Sequence, residues 1–185
     1  MSTLRVLLEA PSSRRERDYL DAAHRSRELH RGLVTVARTP EDYGLLLERV
    51  RQPTQTAFFV VIAVSGELAG VVSFSDIDRN RALSASIGYY AFQPHAGHGY
   101  MREGLVLAID EAFGSLGLAR LGASVQPKNR RSVALVRGLV VTHVGRCAYL
   151  KVGARWRPHE RWELRCEDWQ GAGLLFGGDA RVAER

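Results

Sequence analysis

The sequence has few of the residues that mark secreted, membrane or metal-binding proteins. Its two cysteines, Cys147 and Cys166, are not at a metal-ligand spacing and are too few for a disulfide framework. The longest apolar run, 57–64, has the length of a strand, well short of the about 20 residues that a membrane helix needs. The first residues lack a secretory signal. We therefore expect a cytoplasmic protein with no membrane association and no metal ion.

Lysine is also scarce, because only Lys128 and Lys151 contribute to the 26 basic residues, and the remainder are arginine. The net charge is +6 and the isoelectric point about 9.8. The basic residues are scattered along the chain, which disfavours a nucleic-acid-binding protein. A genome that favours arginine codons explains the excess, and so does a polyanionic small-molecule partner.

Apolar periodicity predicts a mixed α/β fold in a chain of single-domain length. A strand, two helices and a three-stranded meander are followed by a helix, a strand, a helix and a closing hairpin around Gly153. The expected strands are 4–8, 56–64 (buried on both faces), 68–74, 83–90, 121–125, 140–149 and 162–166. The expected helices are 14–29 with a Ser13–Glu16 capping box, one begun by Thr39-Pro40, one from the glycines at 97 and 99 to Leu116, and one capped by Asn129.

A glycine-rich segment joins the third meander strand to the long helix. It reads Gln93-Pro94-His95-Ala96-Gly97-His98-Gly99-Tyr100-Met101. Glycines let backbone N–H groups approach a ligand, and a helix N-terminus adds unpaired donors and a positive dipole end. The segment therefore suits a pyrophosphate, although a plain turn before a helix explains it too. It is neither a P-loop nor a dinucleotide fingerprint, because the Gly-Lys-Ser/Thr ending and the third glycine are missing.

A second polar segment, Asn129-Arg130-Arg131-Ser132, begins the last predicted helix. Asn129 and Ser132 are one helical turn apart and share a face, so an amide and a hydroxyl are presented together. The plainer interpretation is that Asn129 caps the helix and Ser132 is a polar residue of its first turn. Arg130 and Arg131 can contact a phosphate or remain solvated.

Four segments in this order make the chain resemble the GNAT superfamily of N-acetyltransferases, in particular its RimJ/RimL-like members, which acetylate ribosomal proteins. The likeness covers roughly residues 4–166. The segments are Arg25–His30, Gly97–Leu105 (Gly-His-Gly-Tyr-Met-Arg-Glu-Gly-Leu), Asn129–Ser132 and Tyr149–Glu160. The resemblance implies a GNAT acyl-CoA fold, with a mostly antiparallel sheet, flanking helices and a parallel splay between the fourth and fifth strands.

The resemblance also implies acetyl-CoA as co-substrate and assigns residues to it. The backbone of Tyr90, Ala91 and Phe92 would pair with the pantetheine amides. Ala96, Gly97, His98, Gly99, Tyr100 and Met101 would surround the pyrophosphate, and Arg131 would approach a phosphate. Asn129 would contact the pantetheine arm, and Ser132 would protonate the leaving thiolate. Asn129 and Ser132 are thus the expected catalytic residues.

The chain departs from the family pattern at several positions. Ala96 replaces the usual Gln or Arg of the phosphate loop, and Val140-Val141 replace a Gly-Phe pair. Val136 stands where many members have a tyrosine general acid, so that role passes to Ser132 or water. Ala148 stands where RimL-type enzymes place an acidic base. The base is therefore open, and the candidates by residue type are Glu28, Asp76, Asp78 and His159.

We expect one acetyltransferase domain, 1–166, and a tail, 167–185, that is either flexible or at a subunit contact. The expected activity is transfer of acetyl from acetyl-CoA to a primary amine, the N-terminal α-amine of a protein. The alternatives are a small amine acceptor, such as an amino acid, polyamine or antibiotic, and a non-catalytic module that binds acyl-CoA. The sequence leaves monomer and homodimer equally open.

Overall fold

The computed structural model describes residues 4–139 and 141–171, without the side chains of 146–148, and is built around one sheet of seven strands. The strands are β1 Val6–Glu9, β2 Thr56–Ile62, β3 Leu68–Asp78, β4 Ser84–Ala91, β5 Arg120–Val125, β6 Thr142–Val152 and β7 Arg155–Arg165. Their order is β1-β2-β3-β4-β5-β7-β6. Every neighbouring pair is antiparallel except β4 and β5, which are parallel. The expected mixed fold with a parallel fourth and fifth strand is confirmed.

Five helices flank the sheet. They are α1 Glu16–Arg25, α2 Arg27–His30, α3 Pro40–Val50, α4 Tyr100–Phe113 and α5 Arg130–Arg137. Thr39 caps α3 as expected, because its Oγ1 accepts a hydrogen bond from the N–H of Asp42 at 3.1 Å, and Pro40 follows at the first helical position. No helix of the described residues has the length and apolarity needed to cross a bilayer.

The core lies on both faces of the sheet because neighbouring residues of β2 point in opposite directions. Phe59 packs with Tyr19 of α1 and Tyr43 of α3 on one face. Val60 packs with Leu105 of α4 on the other face. All five side chains are almost fully buried. The prediction that this strand is buried on both faces is confirmed, although it ends at Ile62, and Val64 is exposed in the following turn.

The prediction of a single helix at 14–29 is wrong, because α1 and α2 are separate helices. Residues 13–15 form a 3-10 turn with no side-chain cap, so the predicted Ser13–Glu16 capping box does not form. The helix then breaks at Ser26. The Ser26 hydroxyl donates to the carbonyl of Ala22 at 2.7 Å and accepts from the N–H of Gln93 at 2.8 Å. Ser26 thereby ties the break to the segment that follows β4.

Other element boundaries also differ from the prediction. β3 is longer because a bulge after Ser75, with Asp76 at φ 53°, lets pairing resume at Asp78. α4 ends at Phe113 instead of Leu116. β7 begins at Arg155, seven residues before the expected Trp162, because residues 155–161 include a proline and are mostly charged, with Trp156 as their only apolar side chain, so no strand pattern was visible. The closing hairpin itself is confirmed, with Gly153 at φ 58° in its turn.

The segment after β7 returns to α4. Trp169 donates from Nε1 to Asp110 Oδ1 at 2.6 Å, and its ring contacts Phe113 with centroids 6.4 Å apart. The beginning of the expected tail, 167–185, therefore packs on α4. The apolar tail residues Leu174, Leu175 and Phe176 lie outside the described residues.

Gly104 allows α4 to lie close to the sheet. A Cβ at this position would lie 2.6 Å from Val60 Cγ1 and closer still to Cγ2, inside a region of fully buried side chains. We expect Gly104→Ala to lower the melting temperature, because the overpacking cost of about 1–3 kcal/mol exceeds the gain in helix propensity of about 1 kcal/mol.

Gly44 on α3 is the matched control, since nothing lies within 4 Å of the corresponding Cβ. Gly44→Ala should raise the melting temperature through helix propensity alone. Thermal unfolding followed by circular dichroism measures both variants. Equal stabilisation by the two substitutions would contradict the close packing of α4 on Val60.

Candidate active site

The site begins where β4 and β5 separate. Their register runs from Ser84 opposite Arg120 to Ile87 opposite Ala123, yet β4 continues to Ala91 and β5 to Val125. Beyond Ile87 lies a cleft of about 870 Å³, which is lined by the end of β4, the glycine turn, α5 and the residues around α2. A ligand in this cleft meets the exposed backbone edge of β4.

The edge of β4 that faces the cleft is set by strand alternation. The N–H of Phe92 donates to the carbonyl of Ala69 at 2.8 Å, so Phe92 points its backbone groups toward β3. The backbone groups of Ala91 therefore point the other way, toward the cleft. Tyr90 and Ala91 line the cleft, whereas the Phe92 ring is fully buried against Tyr19 and does not reach it.

The glycine turn closes one end of the cleft. Gly97 and Gly99 have φ of 90° and 88°, a left-handed conformation that favours glycine, and α4 begins directly afterwards. Ala96, Gly97, Gly99 and Met101 line the cleft. His98 and Tyr100 do not line it, because their rings stack on each other with centroids 6.3 Å apart on the outside of the turn.

Arg5, the residue before β1, holds this turn through contacts that no sequence pattern indicated. Arg5 donates from Nε to Glu103 Oε1 at 2.6 Å and from its backbone N–H to Oε2 at 2.8 Å. The Arg5 guanidinium also donates to the carbonyl of His98 at 3.2 Å and lies 4.7 Å from the Tyr100 ring centroid. The turn is therefore fixed to the sheet from its outer side, which leaves its inner side to a ligand.

The opposite wall is α5. Asn129 caps this helix, as its Oδ1 accepts from the N–H of Ser132 at 3.2 Å. Asn129 and Ser132 both line the cleft, together with the exposed side chains of Lys128, Arg130 and Arg131. The structure thus brings the two polar segments of the sequence to one cleft, with three basic side chains beside it. Val136, where a tyrosine was missing, is buried behind this wall.

Of the four base candidates, only Glu28 lines the cleft. Asp78 accepts from the N–H groups of Asn80, Arg81 and Ala82, and these bonds lower the pKa of its carboxyl group. Asp76 is exposed and bonded to Ser75. His159 is buried with Nδ1 2.8 Å from the carbonyl oxygen of Arg157. Apart from Glu28, these residues are therefore no longer candidates for a base that touches substrate.

Two residues at the cleft were not predicted. Tyr89 lines the cleft with its hydroxyl 2.6 Å from Ser132 Oγ. His30 is buried at the cleft wall, with Nε2 2.8 Å from the carbonyl oxygen of Ala91. Burial lowers the pKa of His30, so its ring is neutral at neutral pH. His30 ends one of the quoted segments and Tyr89 lies in a predicted strand. No spacing indicated a role for either residue, because both contacts join parts of the chain far apart in sequence.

No group of three or more His, Cys, Asp or Glu side chains within residues 4–139 and 141–171 is placed to hold a metal ion. The functional groups of the cleft are instead backbone donors, hydroxyls, an amide and arginines. Such a site can bind an anionic chain, orient a carbonyl group and stabilise a leaving anion.

A mixed sheet that opens between two parallel strands, with a glycine turn and a helix mouth in the opening, defines the acyl-CoA N-acyltransferase class of folds. The family model described as Acetyltransferase (GNAT) domain matches residues 5–139. The chain belongs to the GNAT family of N-acetyltransferases.

Two relatives are similar in sequence. Probable N-acetyltransferase YjcK of Bacillus subtilis is 31% identical over 115 residues, which are 61% of this chain and 63% of that protein. The [Ribosomal protein uS5]-alanine N-acetyltransferase of Escherichia coli is 29% identical over 127 residues, which are 68% of this chain and 66% of that protein. The matched region thus spans just under two thirds of each relative.

Solved structures share the fold over nearly the whole chain. Ribosomal-protein-S5-alanine acetyltransferase from Vibrio fischeri has a TM-score of 0.78 at 22% identity and covers 92% of this chain and 98% of that one. Mycobacterium smegmatis RimJ in complex with CoA-disulfide has a TM-score of 0.81 at 20% identity, with 93% of each chain covered. Spermidine N-acetyltransferase from Vibrio cholerae, with CoA and spermine, has a TM-score of 0.76 at 18% identity, covering 90% and 98%. At these identities the likeness shows the fold alone.

The buried His30 predicts a specific loss of stability in acid. The pKa of His30 in the folded protein lies below 6.5, the usual value for histidine. The unfolded chain therefore binds a proton at a pH at which the folded chain does not. The contribution of His30 to the free energy of unfolding is constant above pH about 6.5. It decreases as the pH falls toward the pKa of His30 in the folded protein. We expect the melting temperature of His30→Gln, which keeps a donor for Ala91 without titrating, to fall less between pH 7 and pH 5.

His24 provides the control for this measurement, because it is exposed on α1 and bonded to the carbonyl of Arg38. His24→Gln should keep the pH dependence of the parent protein. If His30→Gln loses stability in acid as steeply as the parent, the buried neutral state of His30 is not the cause.

Proposed function

We propose that the protein transfers the acetyl group of acetyl-CoA to a primary amine, the N-terminal α-amine of a protein, by direct attack and without an acyl-enzyme. The observation that carries the proposal is the content of one cleft. The exposed edge of β4 at Ala91, the turn at Gly97 and Gly99, and the Asn129–Ser132 pair all border the same opening. Together they match the groups that an acyl thioester with a diphosphate tail requires.

The pyrophosphate would lie against the glycine turn. The first hydrogen bond of α4 runs from the N–H of Arg102 to the carbonyl of Gly99 at 3.0 Å. The N–H groups of the residues just before Arg102 therefore take no part in the hydrogen bonds of the helix. These N–H groups and the helix dipole favour an anion. Since Ala96 supplies no side-chain donor, we assign the additional charge to Arg130 and Arg131 on the opposite wall.

The pantetheine arm and thioester would lie between β4 and α5. The backbone N–H of Ala91, which points toward the cleft, and the side-chain amide of Asn129 would hold the arm, whereas the backbone groups of Tyr90 point toward β3. The amine nitrogen attacks the carbonyl carbon, a nitrogen–carbon bond forms, and the carbon–sulfur bond breaks with its electron pair on sulfur. Ser132 gives a proton to that sulfur, and the proton that the amine sheds replaces it, so the protein is unchanged. The cleft contributes mainly by orienting the two reactants.

The acceptor end of the cleft supports a peptide N-terminus over a polyamine. Leu29, Leu33 and Val34 give this wall an apolar surface, and among the residues lining the cleft Glu28 is the only carboxylate. A polyamine presents several positive charges. One exposed carboxylate pairs poorly with them in a cleft that is also lined by Arg102 and by the three basic side chains of the α5 wall. A peptide presents a single ammonium followed by an apolar or small side chain.

The pKa of the acceptor amine also favours a peptide N-terminus over a polyamine. An α-amine has a pKa of about 7.7–8.0, so roughly a third is already neutral at pH 7.5, whereas an alkyl amine with a pKa of about 10.4 is only about 0.1% neutral. A cleft whose described part has no strong base therefore suits an α-amine. Glu28 or water suffices to accept one proton from it.

Thiol release from acetyl-CoA tests this proposal. We expect turnover with peptides that depends on the identity of their first residue, and little with spermidine or lysine at pH 7.5. The kcat/KM for a peptide should rise about tenfold per pH unit below the amine pKa and level off near pH 8. Turnover with small amines alone would move the assignment to the alternative acceptor class. Tight acetyl-CoA binding without any thiol release would indicate a binding module instead.

The phosphate role of the two arginines is tested separately. We expect the double variant Arg130→Gln/Arg131→Gln to raise the KM for acetyl-CoA about tenfold, because exposed charge pairs contribute up to about 1 kcal/mol each. The effect should shrink at high salt. Arg14→Gln/Arg17→Gln removes the same charge from exposed positions that do not line the cleft and should leave KM unchanged. An unchanged KM in the first variant would remove both arginines from the cofactor site.

A further inference from the structure

Tyr89 and Ser132 join the two walls of the cleft. Tyr89 lies on β4 two residues beyond the last pair with β5, and Ser132 lies in the first turn of α5. Their hydroxyl oxygens are 2.6 Å apart, a short hydrogen bond. The Tyr89 hydroxyl also lies 3.3 Å from the backbone oxygen of Ser132. Because Asn129 holds the N–H of Ser132, the serine is fixed at its backbone and at its side chain.

The direction of this hydrogen bond decides what Ser132 can do. A serine hydroxyl has one proton and two acceptor positions. If it donates to Tyr89, its only proton is occupied and cannot reach a ligand. If Tyr89 donates, the serine proton is free to turn into the cleft. A phenol is a stronger acid than an alkyl hydroxyl and is therefore the better donor of the two.

We propose that Tyr89 is a positioning residue that donates a hydrogen bond to Ser132 Oγ and so directs the serine proton toward the sulfur of a bound acyl thioester. This role rests on the proposed acetyl transfer. It also accounts for a chain that has Val136 where many GNAT members have a tyrosine, because here a tyrosine from the sheet acts through a serine on the helix.

Tyr89 orients the proton but does not supply it. Burial raises the pKa of Tyr89 to about 12, so its phenol is protonated at neutral pH and can donate a hydrogen bond to Ser132. The proton delivered to sulfur is that of Ser132, replaced by the one that the amine sheds. Tyr89 acts only through the serine and is not a catalytic residue.

The backbone contact supplies the competing explanation. The carbonyl of Ser132 is present whatever side chain stands at this position, so a Tyr89 that merely braced α5 would act independently of the serine hydroxyl. A positioning Tyr89 has no effect on turnover once that hydroxyl is gone. The two roles therefore differ in whether the effects of Tyr89→Phe and Ser132→Ala combine.

A double-mutant cycle on the full chain tests this difference. The parent, Tyr89→Phe, Ser132→Ala and the double variant are compared in kcat, in acetyl-CoA dissociation constant by calorimetry and in melting temperature. Hydroxylamine is the acceptor, since this small nucleophile does not depend on the acceptor wall. We expect kcat to fall about tenfold in Tyr89→Phe and about a hundredfold in Ser132→Ala, with acetyl-CoA affinity retained. The double variant should be no slower than Ser132→Ala.

Tyr43→Phe is the matched control. Tyr43 is a buried tyrosine with a pKa also raised to about 12 by burial, and its hydroxyl donates to the carbonyl of Ser12 at 2.7 Å, away from the cleft. It should leave kcat unchanged in both the parent and the Ser132→Ala background. Full kcat in Tyr89→Phe, or an equal loss in the two backgrounds, overturns the positioning role. A parent that releases no thiol above the uncatalysed rate, either with hydroxylamine or with any peptide of the acceptor panel, overturns the acetyl transfer itself and the positioning role with it.

Discussion

β4 and β5 share their register only as far as Ile87 and Ala123, and the sheet must remain open beyond that pair. An open edge is unfavourable, because backbone groups lose their partners without gaining bulk water. Three polar contacts hold the opening at its width. Tyr89 contacts Ser132 across it, His30 contacts the carbonyl of Ala91, and Gln126 after β5 donates to the carbonyls at 32 and 33 at 3.0 and 3.2 Å. The cleft is thus prepared for a ligand that supplies the missing backbone partners.

The end of the cleft at the glycine turn is held in a comparable way. Left-handed residues at 97 and 99 turn the chain so that the start of α4 faces the cleft, and glycine adopts this conformation without a steric cost. The Arg5–Glu103 pair fixes the outer side of the turn through side chains that never enter the cleft. A site held rigid from behind loses less conformational entropy when an anion binds, since few groups remain to be ordered.

The sequence predicted what depends on local patterns and missed what depends on distant partners. A continuous run of apolar and β-branched residues identified β2, and helical spacing of apolar residues identified α4, because each pattern lies within one element. The break at Ser26 could not be predicted, because its cause is the N–H of Gln93, 67 residues away. The same holds for the site. Motif spacing identified Gly97, Gly99, Asn129 and Ser132, whereas Tyr89 and His30 acquire their roles only when β4 meets α5 and α2.

The polar groups of the cleft lie mostly on one of its sides. Hydroxyls and an amide gather on the α5 side, where a sulfur would leave, while the acceptor side offers leucines and one exposed carboxylate. In acetyl transfer the enzyme must either assist deprotonation of the attacking nitrogen or stabilise the negative charge on the leaving sulfur, whichever limits the reaction. For an alkylammonium with a pKa of about 10.4 that end is the nitrogen, but for an α-amine with a pKa near about 8 the nitrogen is partly deprotonated beforehand. Stabilising the leaving sulfur is then the larger remaining task, and under the proposed acetyl transfer the hydroxyls and the amide near α5 would serve it.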